Sequence, residues 1–158
     1  DGSAAVELIA PDPSAPYERL VEGPYVLFRG GWYFLFYSGD DFGGNPPHYA
    51  VMAARSRSPL GPFERLGTVR GTGASVILEE SAAFLAPGHN SILTDAAGTD
   101  WIVYHAVDPR NRWNPGVRFV RRPMLYDRLE WVDGWPRVAG GTPSTAPAPG
   151  PDAGPVLS

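Results

Sequence analysis

The sequence predicts an all-β fold, and three observations carry that prediction. Its 158 residues include 19 glycines and 18 prolines, about twice the usual share, and these punctuate apolar runs instead of collecting in one tract. The runs between them are short and rich in aromatic and β-branched residues, as strands are. The chain also repeats itself weakly, and the repeat says which kind of all-β fold to expect.

A first strand is read over residues 24–29 and a second over 32–38, joined by Gly30-Gly31. Two glycines supply positive φ at both positions of a tight hairpin turn without steric cost. A third strand covers 49–56. A helical turn at 81–85 is the one helix signal, and Pro87 stops it. Strands at 91–94 and 101–105 flank the turn residues Asp95 to Gly98, and two more follow at 117–126 and 129–132. In the repeat, Val21-Glu22-Gly23-Pro24-Tyr25 leads through glycines to Trp32-Tyr33-Phe34-Leu35-Phe36-Tyr37-Ser38. Further on, Pro87-Gly88-His89-Asn90-Ser91 leads through a second turn to Trp101-Ile102-Val103-Tyr104-His105. Repeated units of four antiparallel strands are β-propeller blades, each covering its neighbour's open face. Residues 1–138 therefore read as about two blades plus an N-terminal strand. Residues 139–158, thirteen of them Ala, Gly or Pro, read as a strap or linker. A propeller closes only with four or more blades, so this chain is expected to be the C-terminal part of a longer wheel or to pair with other copies of itself, its first residue lying inside a longer product or following a processing step.

Composition removes several function classes. With no cysteine, a disulfide scaffold and any Cys-ligated metal site are excluded. All thirteen basic residues are Arg, and a net charge of −4 with a pI near 5.3 offers no basic stripe for a phosphate backbone, so no nucleic-acid partner is expected. No apolar run approaches the ~20 residues of a spanning helix, and no membrane partner is expected.

In a blade the first strand is innermost, so its start faces the central axis. Glu22 and His89 hold that place in their two repeats. A carboxylic acid in a partly dry funnel suits proton donation, because its charged form is disfavoured there. Glu22 reads as a general acid or as an ion-pair partner at a blade edge near Arg19. His89 reads as a metal ligand, a hydrogen-bond donor to substrate, or a histidine satisfied by turn backbone; one imidazole alone makes no closed zinc site. His105, at a strand end, reads as a core residue. Antiparallel connectivity brings the loops 39–48 and 107–116 to the same face as Glu22. These loops hold Asp40, Asp41, Phe42, Arg112 and Trp113, able to stack on a sugar ring and bind its hydroxyls. Phe42 and Trp113 are the substrate-contact candidates there; Trp32, Trp101, Trp131 and Trp135 are expected in the core.

Taken in order, the Glu22-Gly23-Pro24 motif, the aromatic run to Gly39, Ala53-Ala54-Arg55-Ser56-Arg57-Ser58-Pro59-Leu60-Gly61-Pro62-Phe63, Pro87-Gly88-His89, Tyr104-His105-Ala106, Arg122, Tyr126-Asp127-Arg128-Leu129-Glu130-Trp131 and Asp133-Gly134-Trp135-Pro136 are similar to glycoside hydrolase family 43. The likeness runs over about residues 20–145. It implies the C-terminal blades of a five-bladed propeller that hydrolyses arabinofuranosidic or xylosidic bonds of plant cell-wall polysaccharides with inversion. It implies Glu22 as general acid, His89 on the axis near a water or, in some members, a calcium ion, and Arg122 at the substrate. No cofactor is required beyond such an ion. The partners implied are an arabinose- or xylose-containing oligo- or polysaccharide and an N-terminal segment of the same enzyme, with an extracellular setting. The chain departs from the pattern where the general base and the pKa-tuning Asp belong: nothing before Val21 matches them. Inversion needs a second carboxylate roughly 6.5–9.5 Å from the acid, and Asp40 or Asp41 would substitute without motif support. A non-catalytic carbohydrate-binding propeller and a protein-interaction propeller are the competing functions.

Overall fold

The computed structural model describes residues 4–117 and 119–154. Two antiparallel sheets follow one another along the chain, each a four-stranded meander. The first runs β1 (Val21–Arg29), β2 (Trp32–Asp41), β3 (His48–Ser56) and β4 (Glu64–Arg65), with β5 (Val76–Leu78) added to the same edge of β3. The second runs β6 (Leu85–Thr94), β7 (Asp100–Val107), β8 (Met124–Val132) and β9 (Trp135–Val138). The all-β expectation holds, and the two sheets are the two blades read from the repeat.

Alternation along β2 explains the stacking. Phe34 and Phe36 point at the second sheet, where they join Val51, Ala53, Ile92, Ile102, Tyr104, Ala106, Leu129 and Trp135. Leu35 and Tyr37 point the other way, and with Ala50, Met52 and Ala54 they are covered by Leu8, Ile9, Tyr17 and Phe63. The first sheet is thus apolar on both faces, as a blade with a neighbour on either side must be. Glu18, wholly buried beside Tyr37, is held by the Arg65 guanidinium at 2.5 Å.

Where the elements differ from expectation, the reasons are local. Gly30 and Gly31 do form the hairpin turn, with φ of 57° and 78°. The first strand starts earlier, at Val21, because the Gly23-Pro24 pair is accommodated as a register shift between Glu22 and Tyr25, as proline requires in a ladder. Residues 81–85 are not helical: the Ser81 hydroxyl takes the N–H groups of Ala83 and Phe84, a local turn that competes with helix. The helix is instead α1 (Leu66–Arg70), which the poor helix formers Gly, Thr and Val did not signal; buried Leu66 anchors it and Gly71, at φ 68°, ends it. The strands read at 117–126 and 129–132 are replaced by the single strand β8. Pro123 has no N–H for the ladder, and upstream of it Val120 pairs with Trp113; residue 118 lies outside the described residues. Asp127 stays inside β8 because its carboxylate accepts from Tyr104 Oη at 2.5 Å and from Ser144 N. Beyond β9, Asp152 exchanges hydrogen bonds with Asp95 and Ala96, so residues 142–154 run along the second sheet.

Side chains pin the two sheets together at several levels. Tyr25 Oη donates to Ile92 O at 2.7 Å. Asp100, its side chain 1% exposed, takes Thr94 Oγ1 at 2.6 Å and Trp131 Nε1 at 2.7 Å and pairs with Arg29 of the first sheet. Asp100→Ala strands these donors, and partial exposure of Arg29 offsets some of the loss; it is expected to cost about 2–4 kcal/mol in denaturant unfolding. An unchanged midpoint would contradict the role given to Asp100.

Candidate functional site

The site lies where β1 and β6 begin. The register shift at Gly23, φ 59°, turns Glu22 toward β3, opposite Ser38. There the half-buried carboxylate accepts, through Oε1, the hydroxyl of Tyr49 at 2.7 Å; among the described residues Oε2 has no hydrogen-bond partner. Glu22 also lines a cavity of about 200 Å³ with Arg19, Leu20, Asp40, Asp41 and Phe42. The ion-pair alternative for Glu22 is not what the structure places there: no Arg pairs with it among the described residues.

β6 is bent by two register shifts, on either side of Gly88. Ala86 and His89 both take left-handed backbone, φ 48° and 52°, a conformation non-glycine residues adopt at a cost and mostly at functional sites. The bend sets the His89 ring against Gly23, close enough that a Cβ there would sit 3.3 Å from its Cγ. Residues equivalent in the repeat therefore meet. His89 is exposed, its ring 6.4 Å from that of His105.

Tyr49 is the hub. Fully buried, it stacks parallel to His105 at 5.9 Å and meets the edge of Phe42 at 5.8 Å. Burial first, then the Glu22 acceptor, push its hydroxyl above the ordinary tyrosine range, so it keeps its proton and serves Glu22 as a donor. The Arg122 guanidinium lies 4.8 Å over the Phe42 ring, a cation–π contact. His105 differs from the expectation of a satisfied core residue, since its buried Nδ1 has no partner among the described residues. Burial, followed by the positive charges of Arg122 and His89, pushes its pKa down to about 4, leaving a neutral imidazole.

Thus Glu22, Phe42, His89 and Arg122 are brought together around Tyr49 and His105. Trp113 is not part of this cluster. It sits 52% exposed on the neighbouring rim, under the Arg112 guanidinium at 5.2 Å. Arg112 ties that rim to the Phe42 loop through Asn45 Oδ1 at 2.9 Å and Gly44 O at 3.0 Å. Asp40 is already engaged, accepting from Arg19 N at 3.2 Å and lying 3.0 Å from His48 Nδ1, and Asp41 caps the turn at Gly43. Both oxygens of Asp40 are thus engaged, and one of Asp41's. No three His, Asp or Glu side chains converge to hold a metal ion among the described residues. A calcium ion prefers several oxygens, so these residues alone do not fit one and no step below uses it. Sequence reasoning missed Tyr49 and Ser38, each hidden in an apolar strand; their one signal is a polar oxygen amid residues that bury.

The titration of His105 is measurable. The unfolded imidazole protonates near 6.5 and the folded one only near 4, so between these values the unfolded state binds the extra proton. Stability should fall as pH drops through that window. A His105→Gln variant should show a shallower fall in thermal melting from pH 6.5 to 4; an identical pH dependence would contradict the neutral, buried assignment.

A sequence model of glycosyl hydrolases family 43 matches residues 2–136. Arabinan endo-1,5-alpha-L-arabinosidase B of Emericella nidulans is 30% identical over 139 residues, which cover 81% of this chain and 33% of the relative. A thermostable family-43 glycoside hydrolase superposes with a TM-score of 0.65 at 30% identity, over 83% of this chain and 38% of that one. The Cellvibrio cellulosa alpha-L-arabinanase complexed with arabinohexaose does so with a TM-score of 0.60 at 27% identity, over 75% and 36%. The chain thus spans between a third and two-fifths of the proteins it matches.

Proposed function

The chain belongs to glycosyl hydrolases family 43, and we propose that it is the C-terminal part of an inverting glycosidase and supplies the general acid, Glu22. The observation that carries this reading is the state of one carboxyl group of a residue that lines a cavity: Oε1 held by a buried phenol, Oε2 without a partner among the described residues. A proton on Oε2 is placed to pass to the departing glycosidic oxygen as the bond to the anomeric carbon breaks. On the opposite face of the sugar a water attacks, its proton taken by a second carboxylate. We assign that base to an N-terminal segment of the same enzyme: Asp40 has both oxygens engaged, and Asp41, which caps the turn at Gly43, has no motif support.

In this reading Phe42, with Arg122 over its ring, is the side of the cavity that meets the sugar, and His89 and the neutral His105 adjoin it through the Tyr49 cluster. Trp113 sits where a longer oligosaccharide would leave the cavity and stack. The proposed substrate class is arabinofuranosidic or xylosidic oligo- and polysaccharide. Arabinan is favoured within it, because the relatives include arabinan endo-1,5-alpha-L-arabinosidases and a solved neighbour carries arabinohexaose. We read, within the described residues, the two sheets from β1 to β9 as the blades of this unit and 139–154 as a strap along the second.

Glu22→Gln in the full-length polypeptide tests the assignment. Turnover of arabino-oligosaccharides should fall about 10²–10⁴-fold, and that of nitrophenyl glycosides, whose leaving group needs no proton, far less. Equal losses on both would remove Glu22 from the acid role. Unchanged affinity with no turnover in the parent protein would point to a carbohydrate-binding propeller.

A further inference from the structure

We infer that Tyr49 is a positioning residue that decides which oxygen of Glu22 carries the transferable proton, and that the close seat of the second sheet against it at Gly88 holds it there. The inference rests on the reading of Glu22 as the acid. Two hydrogen bonds and a close approach make up the arrangement. The main-chain N–H of His89 donates to Ser38 Oγ at 2.8 Å. Gly88 seats the second sheet against both Ser38 Oγ and the Tyr49 ring. The Tyr49 hydroxyl donates to Glu22 Oε1 at 2.7 Å, so the arrangement ends on the carboxyl group.

Three features make this a built arrangement. Ser38 and Tyr49 are both fully buried, so water does not compete for either hydroxyl. The approach exists only because residue 88 is glycine: a Cβ there would lie 2.2 Å from Tyr49 Cδ1 and Cε1 and 3.2 Å from Ser38 Oγ. The left-handed backbone at His89 aims its N–H back across the sheet boundary. The phenol, holding its proton firmly, can only donate to Oε1, and a donor on Oε1 leaves Oε2 as the oxygen that bears the acid proton. Free rotation about the last torsion of a glutamate would otherwise make the two oxygens interchangeable. Tyr49 touches no substrate in this scheme; it acts through Glu22.

The test compares Tyr49→Phe and Ser38→Ala with Glu22→Gln in the full-length polypeptide, each on an arabino-oligosaccharide and on a nitrophenyl arabinoside. Tyr49→Phe should lower kcat on the oligosaccharide about 10–100-fold with little change in KM, as misplacement of a reacting group does. On the nitrophenyl substrate its loss should be several times smaller. Ser38→Ala should show the same pattern at about 3–10-fold, and it carries the test if Tyr49→Phe does not fold. Equal losses on both substrates, or no loss, in a variant whose parent shows the split on Glu22→Gln would overturn the positioning role while leaving the acid in place. Equal losses already in Glu22→Gln would instead overturn the acid reading itself.

Discussion

The centre of the molecule depends on a close approach of backbones. At Gly88 the main chain of β6 passes so near the Tyr49 ring that any side chain would overlap it by more than an ångström. That approach lets the second sheet lend a main-chain N–H to the first and brings the equivalent starts of the two repeats, Glu22 and His89, side by side. Apart from the Tyr25 and Arg29 contacts, sheet-to-sheet packing elsewhere is apolar burial of Phe34, Phe36, Ile92 and Ile102. Such burial is indifferent to small shifts, whereas hydrogen bonds are not. The apolar core supplies most of the stability, and the glycine contact sets the register in which the polar groups meet.

The electrostatics of the site follow from the same compression. Tyr49 and His105 stack in a place too dry for charge, so one keeps its proton and the other goes without. Arg122 and His89 stand at the wet margin. Glu22 sits between the two environments, half-buried, one oxygen held by Tyr49 and the residue lining the cavity. A carboxyl group so divided between dry and wet surroundings is suited to proton transfer, and an engaged one such as Asp40 is not.

Much of the fold was legible because strands, turns and the repeat are written in local chemistry: paired glycines, alternating aromatics, a motif that recurs. Glu22, His89, Phe42 and Arg122 were legible as candidates, the first two from their equivalent places in the repeat. Tyr49 was not, because a tyrosine in an apolar strand looks like core, and it is core except for one oxygen. Its partner is named only by the register shift at Gly23-Pro24, a tertiary event. α1 and the short strands around it were invisible for a related reason, since buried Leu66 and the pairing to β3 hold them, not propensity. Trp113 was legible as a large aromatic on a loop, and it stands apart from the Tyr49 cluster, exposed on the neighbouring rim.

A crystal structure of the full-length polypeptide with an arabino-oligosaccharide spanning the cavity bears on the central claim most directly. Glu22 Oε2 should lie within about 3 Å of a glycosidic oxygen while Oε1 keeps its hydrogen bond to Tyr49. A bound sugar whose glycosidic oxygens all lie beyond hydrogen-bond reach of Glu22, or one that meets Glu22 only through Oε1 after Tyr49 has let go, would contradict it.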